Sequence, residues 1–164
     1  MNYIKITKHD IANGIGVRVV LWVSGCTVHC YNCQNPSTWD FTAGQPFTNN
    51  TMTELLEALS PDYISGLTLS GGHPLEQVNQ QQISNIIKTV KTKLPSKTIW
   101  LYTGYTLKEI EDSFRNEIIP YIDYLVDGRF EIDKRDISLK FRGSSNQIIW
   151  VKNEEGKLIK SDLN

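Results

Sequence analysis

The chain has 164 residues, 40% hydrophobic and 21% charged, with a net charge of -1 at neutral pH. That is an ordinary globular composition and enough chain for one packed domain over residues 1–164. Lys and Arg are scattered rather than clustered, so phosphate-backbone binding is not the expected task and no nucleic acid partner is expected.

In chain order, "MNYIKITKHD" mixes charged and apolar residues without the apolar core of a secretory leader. "RVVLWVS" (Arg18 to Ser24) predicts a buried strand. Its apolar run is far too short to cross a bilayer, so a cytoplasmic protein with no membrane partner is expected. "TMTELLEALS" predicts a short helix, with Thr51 and Glu54 spaced as a capping box. "GLTLSGG" (Gly66 to Gly72) predicts a strand running into a glycine turn. From Leu75 to Lys93, Val78, Ile83, Ile86, Ile87 and Val90 mark a helical face that Pro95 stops. "KTIWLYTGY" predicts the next strand, "TLKEIEDSF" a helix, "DYLVDG" a strand and "NQIIWV" the last strand. The polar tail Lys152 to Asn164 is expected to be loosely held.

Strands alternating with helices predict a mainly parallel sheet with five or six βα units, too few for a closed eightfold barrel. Ligands of such sheets sit beyond the C-terminal strand ends. The segment after Ser24, Gly71-Gly72, Thr103-Gly104 and Asp127-Gly128 all follow predicted strands and are expected to share one mouth.

The segment "SGCTVHCYNCQN" holds all three cysteines, Cys26, Cys30 and Cys33. An odd thiol count fits a reducing compartment, and a C-x3-C-x2-C loop points to metal ligation. Two metals compete. Structural zinc would take a fourth ligand, for which His29 is the candidate. A [4Fe-4S] cluster on three thiolates would leave one iron open for a substrate. The pair Gly14 and Gly16 lacks the third glycine of a dinucleotide fingerprint. His9, His29 and His73 are too scattered for a hydrolytic site. Trp22, Trp39, Trp100 and Trp150 read as packing residues.

The cysteine motif after a first strand, with a Gly-Gly turn after a later one, resembles the radical S-adenosylmethionine superfamily. "NGIGVR", "VSGCTVHCYNCQNPSTW", "GQPFT", "LSGGHPL", "WLYTGY", "VDGRF" and "RGSSNQ" together resemble the anaerobic ribonucleoside-triphosphate reductase activating proteins within it. The resemblance implies a partial βα barrel of the radical S-adenosylmethionine type. It implies a [4Fe-4S] cluster on Cys26, Cys30 and Cys33, and S-adenosylmethionine held near Gly71, Gly72, Asn32, Cys33 and Gln34. It also implies one-electron cleavage of that cofactor to a 5′-deoxyadenosyl radical, which takes a hydrogen from a glycine of the reductase large subunit. A low-potential donor such as reduced flavodoxin would supply the electron. The alternatives are an activase for another glycyl-radical enzyme, such as formate lyase, and a zinc-stabilised interaction module.

Two positions depart from the superfamily pattern. Asn32 stands where an aromatic often precedes the last cysteine. His73 stands where Asp or Glu usually follows the two glycines. With the cofactor ammonium held by backbone or by another acid, loss of the His73 side chain is expected to change affinity by less than about tenfold.

Overall fold

The structure, a computed structural model, describes residues 1–164. Its strands are β1 (Asn2–Asp10), β2 (Val17–Val23), β3 (Gln45–Pro46), β4 (Ile64–Gly71), β5 (Thr98–Tyr102), β6 (Tyr124–Asp127), β7 (Ile148–Lys152) and β8 (Leu158–Lys160). The helices are α1 (Asn49–Leu59), α2 (Gln77–Lys93) and α3 (Leu107–Glu111), with short 3-10 turns between elements. All eight strands form one sheet in the order β3-β1-β2-β4-β5-β6-β7-β8.

The expected partial βα barrel of five or six units is not what forms. Only β2, β4, β5 and β6 pair in parallel, while β1 and β3 on one side and β7 and β8 on the other pair antiparallel. The class is still α/β in part, but the sheet is mixed and open. Connection length explains the difference. A parallel return needs a crossover of a dozen or more residues. Residues 11–16 between β1 and β2, and 153–157 between β7 and β8, are too few, so these strands turn straight back. β6 and β7 are joined by a longer segment whose only helical piece is a single 3-10 turn, Ile132–Lys134.

The two faces of the sheet are covered differently. Val19, Leu21, Val23, Leu67, Leu69, Ile99, Leu101 and Leu125 point to one face and pack against Leu55 and Leu59 of α1, Ile83, Ile86, Ile87 and Val90 of α2, and Leu107 and Ile110 of α3. The alternate positions lie on the other face, as the period of two requires. There Trp100, Val126 and Ile149 form a small cluster with Tyr102, Tyr124, Phe141 and Leu163 around it. Loops, not helices, close this second face.

Arg18 is fully buried in β2. Its guanidinium donates to Thr68 Oγ1 at 2.6 Å, Leu67 O at 2.8 Å, Thr98 Oγ1 at 3.0 Å, Thr98 O at 3.1 Å and Ile15 O at 3.3 Å. These acceptors are all neutral, and burial pulls its pKa down to about 10. Gly14 sits above it at φ +130°, where a Cβ would lie 2.7 Å from Arg18 Cδ and 2.9 Å from the Trp100 ring. The glycines of "NGIGVR" therefore serve a close loop-to-sheet approach.

Three details differ from the sequence reading. The α1 capping box uses Thr48 and Thr51, one turn earlier than Thr51 and Glu54. Val78, expected on the apolar face of α2, is 66% exposed. The tail expected to be loose carries β8, and Asn164 closes on β7 by accepting from Ile149 N and donating to Ile149 O, both at 2.9 Å.

Candidate functional site

The cysteine loop leaves β2 at Ser24 and is tied down at its root. Gly25 N donates to Thr38 O at 2.8 Å and Cys26 N to Trp39 O at 3.1 Å. Within the loop, Cys33 N donates to Cys30 O at 3.0 Å and Asn35 N donates to Cys33 Sγ at 3.3 Å. His29 and Asn32 take the left-handed backbone, at φ 45° and 55°, which turns the chain back sharply between successive cysteines.

All three cysteines line one cavity of about 510 Å³ on the helix-free face. Gly71, Gly72, His73, Thr103, Gly104 and Gly128 also line it, so most of the expected strand-end mouth is brought together. Asp127 is not part of the lining. Its carboxylate instead accepts from Leu107 N at the start of α3 (2.7 Å) and from Ile148 N (3.2 Å). Gln34 lines the cavity with Cys33, whereas Asn32 stands outside the lining in an exposed turn. Trp22 and Trp39, read from sequence as packing, join Tyr102, Phe130 and Phe141 in the cavity wall.

Gly71 and Gly72 are glycines because the cysteine loop and β2 leave no space. Gly71 has φ +108°, and a Cβ there would lie 2.6 Å from Val23 O; at Gly72 it would lie 2.5 Å from Gly25 O. Gly72 N donates to Val23 O at 2.9 Å and His73 N to Gly25 O at 2.8 Å. The glycine turn and the root of the cysteine loop are one packed unit.

The donor set discriminates between the two metals. A single tetrahedral zinc with Zn–S of about 2.3 Å holds its sulfurs roughly 3.8 Å apart. Here the three sulfurs do not all lie within 4.8 Å of one another; the trio of potential ligands that does is Cys26, His73 and Glu76. His29 stacks on Trp39, with ring centroids 4.3 Å apart, instead of joining the thiols. Three soft thiolate donors facing a common cavity, with the His29 ring turned onto Trp39, suit an iron–sulfur core.

His73 is buried, and both ring nitrogens are bonded. Nδ1 lies 3.1 Å from Glu76 Oε1, and Nε2 lies 2.8 Å from Thr103 Oγ1 and accepts from Gly104 N at 3.3 Å. Because Gly104 N donates to Nε2, that nitrogen is the acceptor, so Thr103 Oγ1 donates to it and the Nδ1–H donates to Glu76 Oε1. Removing His73 therefore leaves polar groups unpaired in the wall, a role its departure from the superfamily pattern did not announce.

Sequence reading missed Glu76. Its Oε1 also accepts from Thr27 N at 2.7 Å and Thr27 Oγ1 at 2.8 Å. Burial opposes its ionisation, yet the hydrogen bonds from His73 and Thr27 outweigh it and bring the pKa down to about 2. Burial pushes the Cys26 thiol up; the backbone amides of His29 and Val28 pull the other way, and the Glu76 charge adds to the rise. Such a thiol gives up its proton when a metal takes the thiolate charge. The available signal was spacing: His73, Glu76 and Asn79 recur every third residue at the entrance to α2.

A family profile described as a 4Fe-4S single cluster domain matches residues 12–150. Among curated relatives, the anaerobic ribonucleoside-triphosphate reductase-activating protein of Pasteurella multocida (strain Pm70) is 46% identical over 153 residues, 92% of this chain and 97% of the relative. Its namesake from Enterobacteria phage T4 is 46% identical over 150 residues, 92% and 94% of the two chains. That of Escherichia coli (strain K12) is 40% identical over 151 residues, 91% and 97%. With matches of this extent and a cavity that gathers the three thiols, the chain belongs to the family of anaerobic ribonucleoside-triphosphate reductase-activating proteins.

Proposed function

We propose that this chain activates an anaerobic ribonucleoside-triphosphate reductase by generating a glycyl radical on its large subunit. The observation that carries the reading is the set of three thiols, without a fourth, on one cavity beside the Gly71-Gly72 turn. Cys26, Cys30 and Cys33 would hold a [4Fe-4S] cluster, with the Asn35 amide donating to the Cys33 sulfur. When bound, the cluster would supply the one electron for cleavage of the S–C5′ bond of S-adenosylmethionine, the chemistry that yields methionine and a 5′-deoxyadenosyl radical able to take the glycine hydrogen.

The protein's own part is to hold, orient and exclude water, as expected where a cofactor carries the hard chemistry. Gly71 and Gly72 present bare backbone to the cavity for the methionyl group, and Cys33 and Gln34 border the other side. Asn32, outside the lining, has at most a contact from its turn. Trp39, Tyr102, Phe130 and Phe141 offer apolar faces for an adenine. The electron is expected from a low-potential donor such as reduced flavodoxin. No helix is long and apolar enough to cross a membrane.

The test mixes anaerobically reconstituted protein, a reductant, S-adenosylmethionine and an anaerobic ribonucleotide reductase. Electron paramagnetic resonance should show a glycyl doublet on the reductase. If the reductase stays silent while a small molecule alone consumes the radical stoichiometrically, the reading is wrong.

A further inference from the structure

Three buried polar side chains, His73, Glu76 and Asn79, stand at every third position where the chain enters α2, with exposures of 2%, 6% and 2%. Together they tie the start of α2 to the end of β5 and to the cysteine loop after β2. His73 reaches Thr103 beyond β5, Glu76 reaches Thr27 directly after Cys26, and Asn79 Nδ2 donates to Ser24 O at 2.9 Å. Glu76 is the N-cap residue of α2, yet its side chain caps nothing in the helix. A carboxylate at this position would ordinarily satisfy a free amide of the first turn. This one is turned away, and its Oε1 takes all three donors offered by Thr27 and His73.

Three donors compensate the burial of this carboxylate and hold it beside the Cys26 sulfur. The candidate ligand atoms of Glu76, Cys26 and His73 lie within 4.8 Å of one another. Glu76 is absent from the cavity lining, so it acts on the site from behind rather than on a ligand. We propose that Glu76 is a positioning residue of the iron–sulfur site: its carboxylate fixes the Cys26-Thr27 turn and places a negative charge behind Cys26 that makes the cluster harder to reduce. The inference rests on the cluster reading given under Proposed function. Its two parts separate chemically, because hydrogen bonding sets the loop's position while charge sets the balance between the oxidised and reduced cluster.

Wild type, Glu76→Gln, Glu76→Ala and Thr27→Val are reconstituted anaerobically with ferrous iron and sulfide. Thermal melting, iron per chain and the midpoint potential in a titration followed by electron paramagnetic resonance are then measured. Glu76→Gln keeps the shape and an amide oxygen for Thr27 but loses the charge, so its midpoint should move to a more positive potential. Glu76→Ala should also weaken iron retention by roughly tenfold or more. If that variant does not fold, the Gln variant carries the test. Thr27→Val retains the charge, so it should loosen iron without the positive shift. Wild-type iron retention and midpoint in both Glu76 variants would overturn the proposal. A wild-type chain that takes up no [4Fe-4S] cluster would instead remove the cluster reading, and this inference with it.

Discussion

The two faces of the sheet are built by opposite rules. The helix-covered face is uniformly apolar, with side chains of β2, β4, β5 and β6 meeting three helices. The other face carries Arg18, Thr68, Ser70, Trp100 and Tyr102 on the same strands, and loops close it around a cavity. One face supplies stability that depends on volume and shape. The other supplies a site that depends on particular atoms, held by hydrogen bonds as well as by close packing. Substitutions on the first face should therefore change melting and spare the site, and those on the second should do the reverse.

The sharpest break is at the thiols. Cys26→Ala, Cys30→Ala and Cys33→Ala should each abolish cluster assembly, because the chain has no fourth cysteine to stand in; iron and sulfide analysis after anaerobic reconstitution checks this. His29→Ala should keep its iron, since that ring rests on Trp39. Next comes the opposite face. Ile86→Ala, at a fully buried position of α2, should cost about 2–5 kcal/mol in denaturant unfolding. Iron per folded chain should stay at the wild-type level; a proportional loss of iron would show that the faces are not separable.

His73→Ala tests the boundary between them. It strands Thr103, Gly104 and one donor-acceptor pair with Glu76, so about 1–3 kcal/mol of stability should be lost. A melt of His73→Ala indistinguishable from wild type would show that the network is not stabilising. The smallest effect belongs to Val78→Ser, at an exposed position on α2, which should stay within about 0.5 kcal/mol.

The parts legible in the sequence were those in which residue identity carries the chemistry. Three thiols at fixed spacing, a glycine pair after a strand, and the apolar runs of β2, β4, β5 and β6 are visible without knowing their neighbours. Sheet edges were not. β1 alternates only loosely between half-buried and exposed positions, so it has no clean period of two. β3 and β8 are too short to leave a pattern. The barrel expectation failed because two of the connections are too short for a crossover and the longer one, between β6 and β7, forms no crossover helix. Glu76 and Asn79 were hidden because a polar residue near a helix start reads as solvent-facing until the cysteine loop is seen to cover it. Thr48 escaped notice because either of two nearby threonines satisfies a capping pattern.

The ends of the sheet have a consequence for how this protein meets its own kind. An open sheet offers unpaired backbone along its outer strands, and a long flat edge invites another chain to add on. Here the outermost strands are β3, with two residues, and β8, with three. Pro46 removes one donor from the first, and Lys157 and Lys160 flank the second with charge. β3 covers β1 only at Asn2 and Tyr3, and the rest of that strand's outer edge, Ile4 to Asp10, is guarded by the charges of Lys5, Lys8 and Asp10 and by its register breaks against β2. Crowding at high concentration should therefore produce neither strand-swapped dimers nor fibrils, and encounters with other proteins fall to the loops at the strand ends.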